Sequence, residues 1–446
     1  MNAATDLAQW LASQGDLARV ELFLADINGA AKGKWLAPDK AAAAARSGLA
    51  MPYSVFAQDC WGRDVPGAGL ALGTGDPDAL CYPVPGRWAA MPWLRRPAAQ
   101  VLMAMRGRDG APPEADPRGV LEQVVARYGA RGLTPVVATE QEFYLARRGD
   151  PAPVPLAGPW QEQTLSTAPL AEQDALFDAI FDQLAALGVP ADGLTSENGP
   201  GQYEINLLHR PDALAAADDV VLLKRVVKAV AKAHGLVATF MAKPYGAAAG
   251  CGMHIHASVL DGAGRNVFAS DAPAGDQPGP VLRHAVAGLV AAMPGSMLVF
   301  APHANSWRRL VPDMHAPTSA GWGLDDRSAA IRVIMGGEKA TRIEHRIAGA
   351  DCNPYLALAA MLGAMLAGME AGAEPPPMQS PTAPAAGGRL PLEWGAAITA
   401  FAASPEVAAI YGARFRDIYL AVKRQEQAAF LSVVSDLEYA ACLDLA

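Results

Sequence analysis

The stretch from Pro135 to Leu145 (PVVATEQEFYL) places two carboxylates inside an apolar run that favours a β-strand. Side chains of alternate residues in a strand point to the same face. Glu140 and Glu142 therefore share one face of the predicted strand, and Gln141 lies on the other. Two like charges this close repel each other unless a cation lies between them, so the spacing indicates a divalent metal site. The alternative is a solvent-exposed sheet edge that carries two surface glutamates.

The length and charge of the chain exclude several classes of protein. Its 446 residues, of which 51% are hydrophobic, suffice for one large domain and a smaller one. The net charge is −9 without a basic cluster, so we expect no nucleic-acid partner. The five scattered cysteines and the lack of a signal pattern favour a cytoplasmic protein. The longest apolar run, Tyr355 to Met369, is shorter than a membrane span of roughly 20 residues, so we expect no membrane association.

Hydrophobic periodicity predicts an α+β chain with two domains. The first has helices over residues 4–14 and 39–46, a hairpin that turns at Asn28-Gly29, and strands near 79–84 and 99–105. The Gly-, Pro- and Asp-rich segment 106–119 divides the chain into domains 1–108 and 109–446. In the second, we expect helices at 118–129, 171–187, 218–234, 280–293, 353–369 and 407–433, and strands at 136–145, within 197–208, at 238–242, at 254–260 and within 328–347.

Four further segments carry polar side chains on or beside predicted strands. Glu197 and Glu204 flank a Gly-Pro-Gly loop, and His254 and His256 share a strand face. The remaining two segments supply Arg342, Glu344 and Arg346 at alternate positions and Arg308, Arg309, Arg327 and Arg332 within residues 305–332. Each segment alone is compatible with an ordinary core or surface residue. Their recurrence indicates that these groups pair with one another or bind a metal, because charged groups are rarely tolerated on a sheet face without partners.

The residue types describe a reaction class. Five glutamates and one histidine suit Mg²⁺ or Mn²⁺ better than zinc, which prefers sulfur and imidazole. Arginines suit phosphate and carboxylate groups, and metals with arginines around an anionic substrate are what phosphoryl transfer requires. The sequence has neither a Walker A motif nor HExxH, so a nucleotide must be held by other means.

The order of these motifs resembles that of the glutamine synthetase family over nearly the whole chain. The matching motifs are Glu-Gln-Glu-Phe at 140–143, Gly-Gln-Tyr-Glu at 201–204, Gly-Met-His-Ile-His at 252–256, Asn-Ser-x-x-Arg-Leu-Val-Pro at 305–312, Arg-Ser-Ala-Ala-Ile-Arg at 327–332, Arg-Ile-Glu-x-Arg at 342–346 and Asn-Pro-Tyr-Leu at 353–356. The resemblance implies a small β-grasp N-terminal domain and a large catalytic domain with a curved antiparallel β-sheet flanked by helices. It also implies an ATP-dependent ligase that phosphorylates the γ-carboxylate of glutamate before an amine displaces the phosphate.

The resemblance also implies roles for individual residues. Two or three divalent cations would be bound, the first by Glu142, Glu197 and Glu204 and the second by Glu140, His254 and Glu344. Glutamate would contact Gly250, Arg309 and Arg346. ATP and its phosphates would contact Arg327, which is catalytic, together with His256, Ser258, Arg332, Lys339 and Arg342. The family builds its active sites between subunits, so the implied assembly is a ring-based homo-oligomer, a homododecamer, in which aromatic residues such as Trp61 reach the neighbouring site.

Two departures from the ammonia-using members concern the acceptor. Their Asp-Gly-Ser-Ser stretch is missing, and YSVFAQDCWG at 53–62 occupies roughly its place. Their glutamate three residues after Val-Pro is replaced by His315, whose imidazole can take a proton from an amine near neutral pH. The alternative for His315 is a loop residue without a role. These departures favour a γ-glutamyl-amine ligase acting on a primary amine or polyamine. The alternatives are a glutamine synthetase with an altered ammonium site and a catalytically inactive paralogue with a sensing or structural role.

Overall fold

The N-terminal part of the chain folds around a sheet of five described strands. The computed structural model describes residues 3–149, 152–156, 163–269, 277–311, 316–379 and 387–445. The sheet has the order β2-β1-β5-β4-β3 and is flanked by two helices. The bounds are α1 (Ala3–Ser13), β1 (Arg19–Ala25), β2 (Ala31–Leu36), α2 (Pro38–Ser47), β3 (Leu49–Pro52), β4 (Asp78–Ala90) and β5 (Ala98–Arg106).

The predicted hairpin at the start of this sheet is confirmed. β1 and β2 pair antiparallel around Asn28 and Gly29, and Gly29 has a φ of 76°, which favours glycine. The carboxylate of Asp26 accepts hydrogen bonds from the backbone N–H groups of Asn28 and Ala30 at 2.9 and 2.8 Å. The turn is therefore fixed by a side chain as well as by the glycine.

The rest of the chain contains a larger curled sheet, so the fold is mixed α/β. Nine described strands belong to this sheet, in the order β12-β13-β14-β11-β6-β9-β8, with β7 and β10 also paired to β6. The bounds are β6 (Thr134–Arg147), β7 (Val154–Pro155), β8 (Ala191–Ser196), β9 (Gln202–Leu207), β10 (Val237–Thr239), β11 (Met253–Leu260), β12 (Trp322–Leu324), β13 (Ile331–Ile334) and β14 (Arg342–His345). The predicted two-glutamate strand is β6, at the centre of the sheet.

Ten described helices belong to this part of the chain, and all but the last pack against the sheet or against each other. They are α3 (Pro117–Gly129), α4 (Ala168–Ala171), α5 (Asp174–Ala186), α6 (Ala213–Ala233), α7 (Pro280–Phe300), α8 (Pro354–Ala371), α9 (Trp394–Ala403), α10 (Pro405–Tyr411), α11 (Ala413–Leu431) and α12 (Asp436–Cys442). Short 3₁₀ turns occur at Tyr53–Phe56, Pro66–Ala68, Leu72–Thr74 and Ser306–Arg308.

Two predicted helix bounds are wrong for identifiable reasons. α7 continues past Pro294 to Phe300, because the residues after the proline, such as Met297 and Leu298, are fully buried and their packing outweighs the lost hydrogen bond. The helix predicted at 407–433 is two helices, α10 and α11, separated at Gly412 with a φ of 80°. That conformation lies outside the helical region and ends α10.

Helices α7 and α8 are long and apolar enough to cross a membrane by length and composition. Helix α8 extends beyond the apolar run from Tyr355 to Met369 by one residue at its start and two at its end. Most of each helix's apolar window, 67% in α7 and 78% in α8, is buried inside the fold. The two cross closely at Gly288 and Gly368, where an added Cβ would lie 2.0 Å from the Ala364 oxygen and 2.1 Å from the His284 oxygen respectively. In this structure they are core helices.

The C-terminal segment carries apolar side chains that the described part of the chain leaves uncovered. Helix α12 buries none of its residues. Leu431, Leu437 and Leu445 are 79%, 77% and 84% exposed. The exposed large apolar residues of this segment are Phe430, Leu431, Val433, Val434, Leu437, Tyr439, Leu443 and Leu445. A patch of this kind is typical of an interaction surface.

Candidate active site

The central strand β6 aligns acidic and imidazole groups from its neighbours. Glu142 lies directly opposite Glu204 on β9, and Glu140 lies opposite His254 on β11. One strand further, Glu344 on β14 lies opposite both His256 and Arg332. Because these residues are placed by strand register, their relative positions are set by the backbone hydrogen bonds of the sheet.

The row of charged residues faces one cavity of about 470 Å³. All six predicted metal ligands line it, as do five of the predicted substrate and nucleotide residues. The described lining residues are Glu140, Glu142, Thr164, Leu165, Thr195, Glu197, Asn198, Gln202, Glu204, Ala249, Gly250, His254, Arg309, Ala316, Arg327, Arg332, Glu344 and Arg346. The structure therefore gathers residues from segments separated by about two hundred positions into one compartment.

Glu140 is held by two imidazoles. Its carboxylate oxygens lie 3.0 Å from Nδ1 of His254 and 2.9 Å from Nε2 of His256. Burial alone would raise the pKa of Glu140, but the hydrogen bonds from the two imidazoles outweigh it and lower the pKa. Glu140 is consequently an ionised carboxylate throughout the physiological pH range.

His256 has a defined tautomer in this arrangement. Arg342 Nε donates to His256 Nδ1 at 3.2 Å, and a guanidinium can only donate. The other ring nitrogen of His256 therefore carries the proton and donates to Glu140. His256 then orients Glu140 from one side, and His254 is the imidazole that lines the cavity.

Glu197 and Glu204 lie in an environment that disfavours a negative charge. Burial and the neighbouring charge of Glu142 raise the pKa of Glu197 to about 7. Burial and the charges of Glu140, Glu142 and Glu197 raise the pKa of Glu204 to about 9. A cation bound between these carboxylates would remove the repulsion, so the electrostatics of the site fit a divalent metal.

The donor set also fits a metal. Two groups of described residues have ligand atoms within 4.8 Å of one another, Glu140 with Glu204 and His254, and Glu140 with His256 and Glu344. Oxygen donors with one imidazole nitrogen suit Mg²⁺ and Mn²⁺. Glu140 belongs to both groups because β6 lies between β9 and β11. The division of ligands that the family resemblance implies is different, since it places Glu142, Glu197 and Glu204 around one metal.

Arginines approach the other end of the row. Glu344 is almost fully buried and contacts Arg332 at 3.0 Å and Arg346. Burial raises the pKa of Glu344, but the positive charges of His254 and Arg346 outweigh it and lower the pKa. Arg346 also donates to the Arg327 backbone oxygen at 3.1 Å. This end of the cavity is therefore positively charged and suits an anionic group.

Arg309 is packed against glycines. It donates to the Ile347 backbone oxygen at 2.7 Å and is 7% exposed. A Cβ on Gly250 would lie 2.7 Å from Arg309 Cγ, and one on Gly252 would lie 2.7 Å from Arg309 Nη2. Only residues without a side chain leave space for the guanidinium here, which accounts for the Gly-Cys-Gly sequence at 250–252.

Some predicted residues lie away from the cavity. His256 and Arg342 are behind the carboxylate row, as described above. Neither Ser258 nor Lys339 lines the cavity in the described structure, and Lys339 is exposed. His315 lies outside the described residues, so its predicted role stays a prediction.

Several residues that line the cavity were not predicted from the sequence. Thr164, Leu165, Thr195, Asn198 and Ala316 line it. They carry neither carboxylate nor imidazole, and their segments show no strand alternation, so the sequence offers no signal for them. Gln202, which also lines the cavity, lies within the Gly-Gln-Tyr-Glu motif.

Comparisons with known proteins identify relatives over nearly the whole chain. The glutamine synthetase catalytic-domain family matches residues 114–442. The γ-glutamylputrescine synthetase PuuA of Escherichia coli (strain K12) is 38% identical over 434 residues, which cover 94% of this chain and 90% of PuuA. The glutamine synthetase of Mycobacterium tuberculosis (strain ATCC 25618 / H37Rv) is 31% identical over 451 residues, which cover 96% of this chain and 97% of that enzyme.

A solved structure extends the similarity to three dimensions. The GmaS/ADP complex superposes with a TM-score of 0.85 at 27% sequence identity, and the match covers 99% of this chain and 100% of GmaS. The similarity therefore includes the N-terminal sheet as well as the large sheet.

Proposed function

The chain belongs to the glutamine synthetase family of ATP-dependent carbon–nitrogen ligases, and on that premise we propose that it joins glutamate to a primary amine or polyamine. PuuA, which is named as a γ-glutamylputrescine synthetase, is 38% identical to this chain. The glutamine synthetase of Mycobacterium tuberculosis, matched over a similar length, is 31% identical. The sequence departures at 53–62 and 315 support the same choice.

The observation that carries the proposal is the single row of acidic groups that ends in arginines. Five glutamates and His254 share a cavity with Arg309, Arg327, Arg332 and Arg346. Divalent metals, when bound, would neutralise phosphate oxygens and carboxylates. We assign one metal to Glu142, Glu197 and Glu204 and another to Glu140, His254 and Glu344, glutamate to Gly250, Arg309 and Arg346, and ATP to His256, Ser258, Arg327, Arg332, Lys339 and Arg342.

The proposed reaction has two steps. The γ-carboxylate oxygen of glutamate attacks the terminal phosphorus of ATP, the bond from that phosphorus to the bridging oxygen breaks, and ADP leaves. The amine nitrogen then attacks the acyl carbon of the γ-glutamyl phosphate, phosphate leaves, and the nitrogen gives up a proton. Arg327 and Arg332 would stabilise the transferring phosphoryl group, and His315 would accept the proton.

We also propose the arrangement that the family resemblance implied. Residues 1–108 would form a β-grasp domain and residues 109–446 the catalytic domain. The chain would assemble in the cytoplasm as a ring-based homododecamer with sites between subunits. The uncovered apolar C-terminal segment, described above, supports self-association because it needs a partner surface.

One experiment tests the proposed activity. Purified protein with Mg²⁺, ATP and glutamate is offered ammonium, methylamine, butylamine or putrescine, and both phosphate release and the γ-glutamyl product are measured. We expect the γ-glutamyl amide of an alkylamine or diamine and little glutamine. Glu344→Ala should abolish turnover, and exposed Glu114→Ala serves as the matched control. Saturable glutamine formation without a response to any amine would instead support an ammonia-dependent enzyme, and no turnover would support the inactive paralogue.

A further inference from the structure

Leu165 is chemically unlike the rest of the cavity wall. Among the described lining residues it is the one large hydrocarbon side chain; the others are acidic, basic, amide-bearing, hydroxyl-bearing, imidazole, alanine or glycine. It is 76% exposed in the subunit. The Leu165 side chain remains in contact with water in this cavity. The hydrophobic effect therefore does not explain why a leucine occupies this position.

The backbone at Leu165 is also unusual. Its φ is 59°, in the left-handed region that aliphatic residues rarely adopt. The other described non-glycine residues with positive φ are Asp76 and Asp325, and aspartate tolerates this region better. Leu165 is the third residue of a turn from Gln163 to Ser166, a position where a positive φ is normally supplied by glycine or asparagine. Local conformational preference therefore opposes leucine at this position.

Hydrogen bonds hold the turn in place. Ser166 N–H donates to the Gln163 oxygen at 2.8 Å, and Leu165 N–H donates to the Ser196 oxygen at 2.9 Å. The buried hydroxyl of Ser196 lies 2.8 and 2.7 Å from the backbone oxygens of Gln163 and Ser166. Ser196 ends β8 and directly precedes Glu197, so Leu165 is presented at a fixed position beside the acidic end of the cavity.

Strain that is held by its surroundings at a cavity wall indicates a functional constraint. We propose that Leu165 contacts the hydrocarbon chain of the acceptor amine and so determines which amine is used. An alkylamine carries methylene groups, and these suit the apolar surface that Leu165 offers in the cavity. Ammonium has no methylene groups and gains nothing from this contact. The inference rests on the proposed amine ligase activity and adds a specificity determinant to it.

The test compares chain-length preference in variants. Leu165→Asn replaces the hydrocarbon with a polar side chain of similar size that tolerates a positive φ. Leu208→Asn is the matched control, since Leu208 is 46% exposed and does not line the cavity. The readout is the ratio of kcat/KM for butylamine to that for methylamine, with KM for ATP and for glutamate and the melting temperature recorded for each protein. We expect this ratio to fall about tenfold in Leu165→Asn, as for a lost hydrocarbon contact, and to stay unchanged in Leu208→Asn.

The possible results separate the inference from the proposed function. If the unmodified enzyme uses amines and Leu165→Asn lowers kcat/KM equally for both amines, Leu165 has a structural role and the inference is wrong. A smaller assembly in Leu165→Asn, seen by light scattering, would show that a second subunit covers Leu165 and would also overturn it. Absence of amine-dependent turnover in the unmodified enzyme would overturn the proposed function and this inference together.

Discussion

Glu142 and Glu204 lie directly opposite each other on two adjacent antiparallel strands. Like charges in this position destabilise a sheet. The alternative, keeping a proton on one of them, also costs free energy, because the same carboxyl ionises freely in the unfolded chain. This unfavourable pair is explained if the two carboxylates serve to bind a cation.

Glu204→Gln should stabilise the metal-free protein and inactivate the enzyme. The amide removes one member of the opposed pair, so we expect a rise in melting temperature of about 1 °C for each kcal/mol gained in a chain of 446 residues. The rise is measured by differential scanning fluorimetry in EDTA. The same variant should lose glutamate-dependent ATP turnover and the stabilisation by Mg²⁺. Glu114→Gln, at an exposed position, is the control. A variant that is less stable than the unmodified protein in EDTA would contradict the assignment.

Gly250→Ala should weaken glutamate binding. Its new Cβ would lie 2.7 Å from both Arg309 Cγ and the Ala242 oxygen, so the arginine must shift. We propose that Arg309 binds the carboxylates of glutamate, so its displacement should raise KM for glutamate by about tenfold or more, with a smaller change in KM for ATP. Gly246→Ala is the control, because a Cβ on Gly246 has no heavy atom of another residue within 4 Å. Equal changes in both KM values would indicate a general distortion instead.

Asp116→Asn should change how stability depends on pH. Asp116 is the N-cap of α3 and accepts from Arg118 N–H at 2.9 Å. Burial, only partly offset by the charge of Arg118, raises the pKa of Asp116 to about 6. A raised folded-state pKa means that the free energy of unfolding falls as pH rises from about 4 to about 6. Asparagine caps equally well and does not ionise.

We therefore expect Asp116→Asn to have a higher free energy of unfolding than the unmodified protein. The difference should grow as the pH rises from 4 to 7, to at most about 3 kcal/mol. Thermal melts across this range measure the difference. Asp212→Asn makes the same exchange at the exposed N-cap of α6 and controls for the change of capping group. A constant difference in stability across the whole pH range would show that the pKa of Asp116 is the same in the folded and the unfolded chain.

Removal of residues 433–446 should reduce the size of the assembly. This segment carries Val433, Val434, Leu437, Tyr439, Leu443 and Leu445, which are all exposed in the subunit. If these side chains contact a second subunit, the truncation removes that contact. The molar mass measured by light scattering should then fall at least by half. Full-length protein with Leu437→Asp and Leu443→Asp tests the same contact without shortening the chain. An unchanged mass in both would mean that the segment has another role.

The part of the site that could be predicted from the sequence depends on local periodicity. Glu140 and Glu142 face the same cavity, and His254 and His256 lie on the same face of β11, as the alternation of side chains in a strand requires. These relationships involve residues two positions apart, so no knowledge of the tertiary fold is needed.

The part that could not be predicted depends on contacts between distant segments. Strand β8 contains Gly193 and several polar residues, and it is a strand because β9 pairs with it at the edge of the sheet. The packing of Arg309 across Gly250 joins residues 59 positions apart. Leu165 reaches the cavity through hydrogen bonds to Ser196. None of these contacts leaves a periodic pattern in the sequence.

The cavity has a rigid floor of paired strands and a wall made of a short turn. Substitutions at Glu142 or His254 would disturb a row of residues that several paired strands position together. Thr164, Leu165 and Asn198 also line the cavity, but they are not paired with the central strand β6. Loops carried on a rigid scaffold can vary without loss of the fold. If the proposed amine ligase activity holds, acceptor preference can change through exchanges at these three positions while the row of carboxylates stays constant, and a mutant library restricted to them is the shortest route to new products.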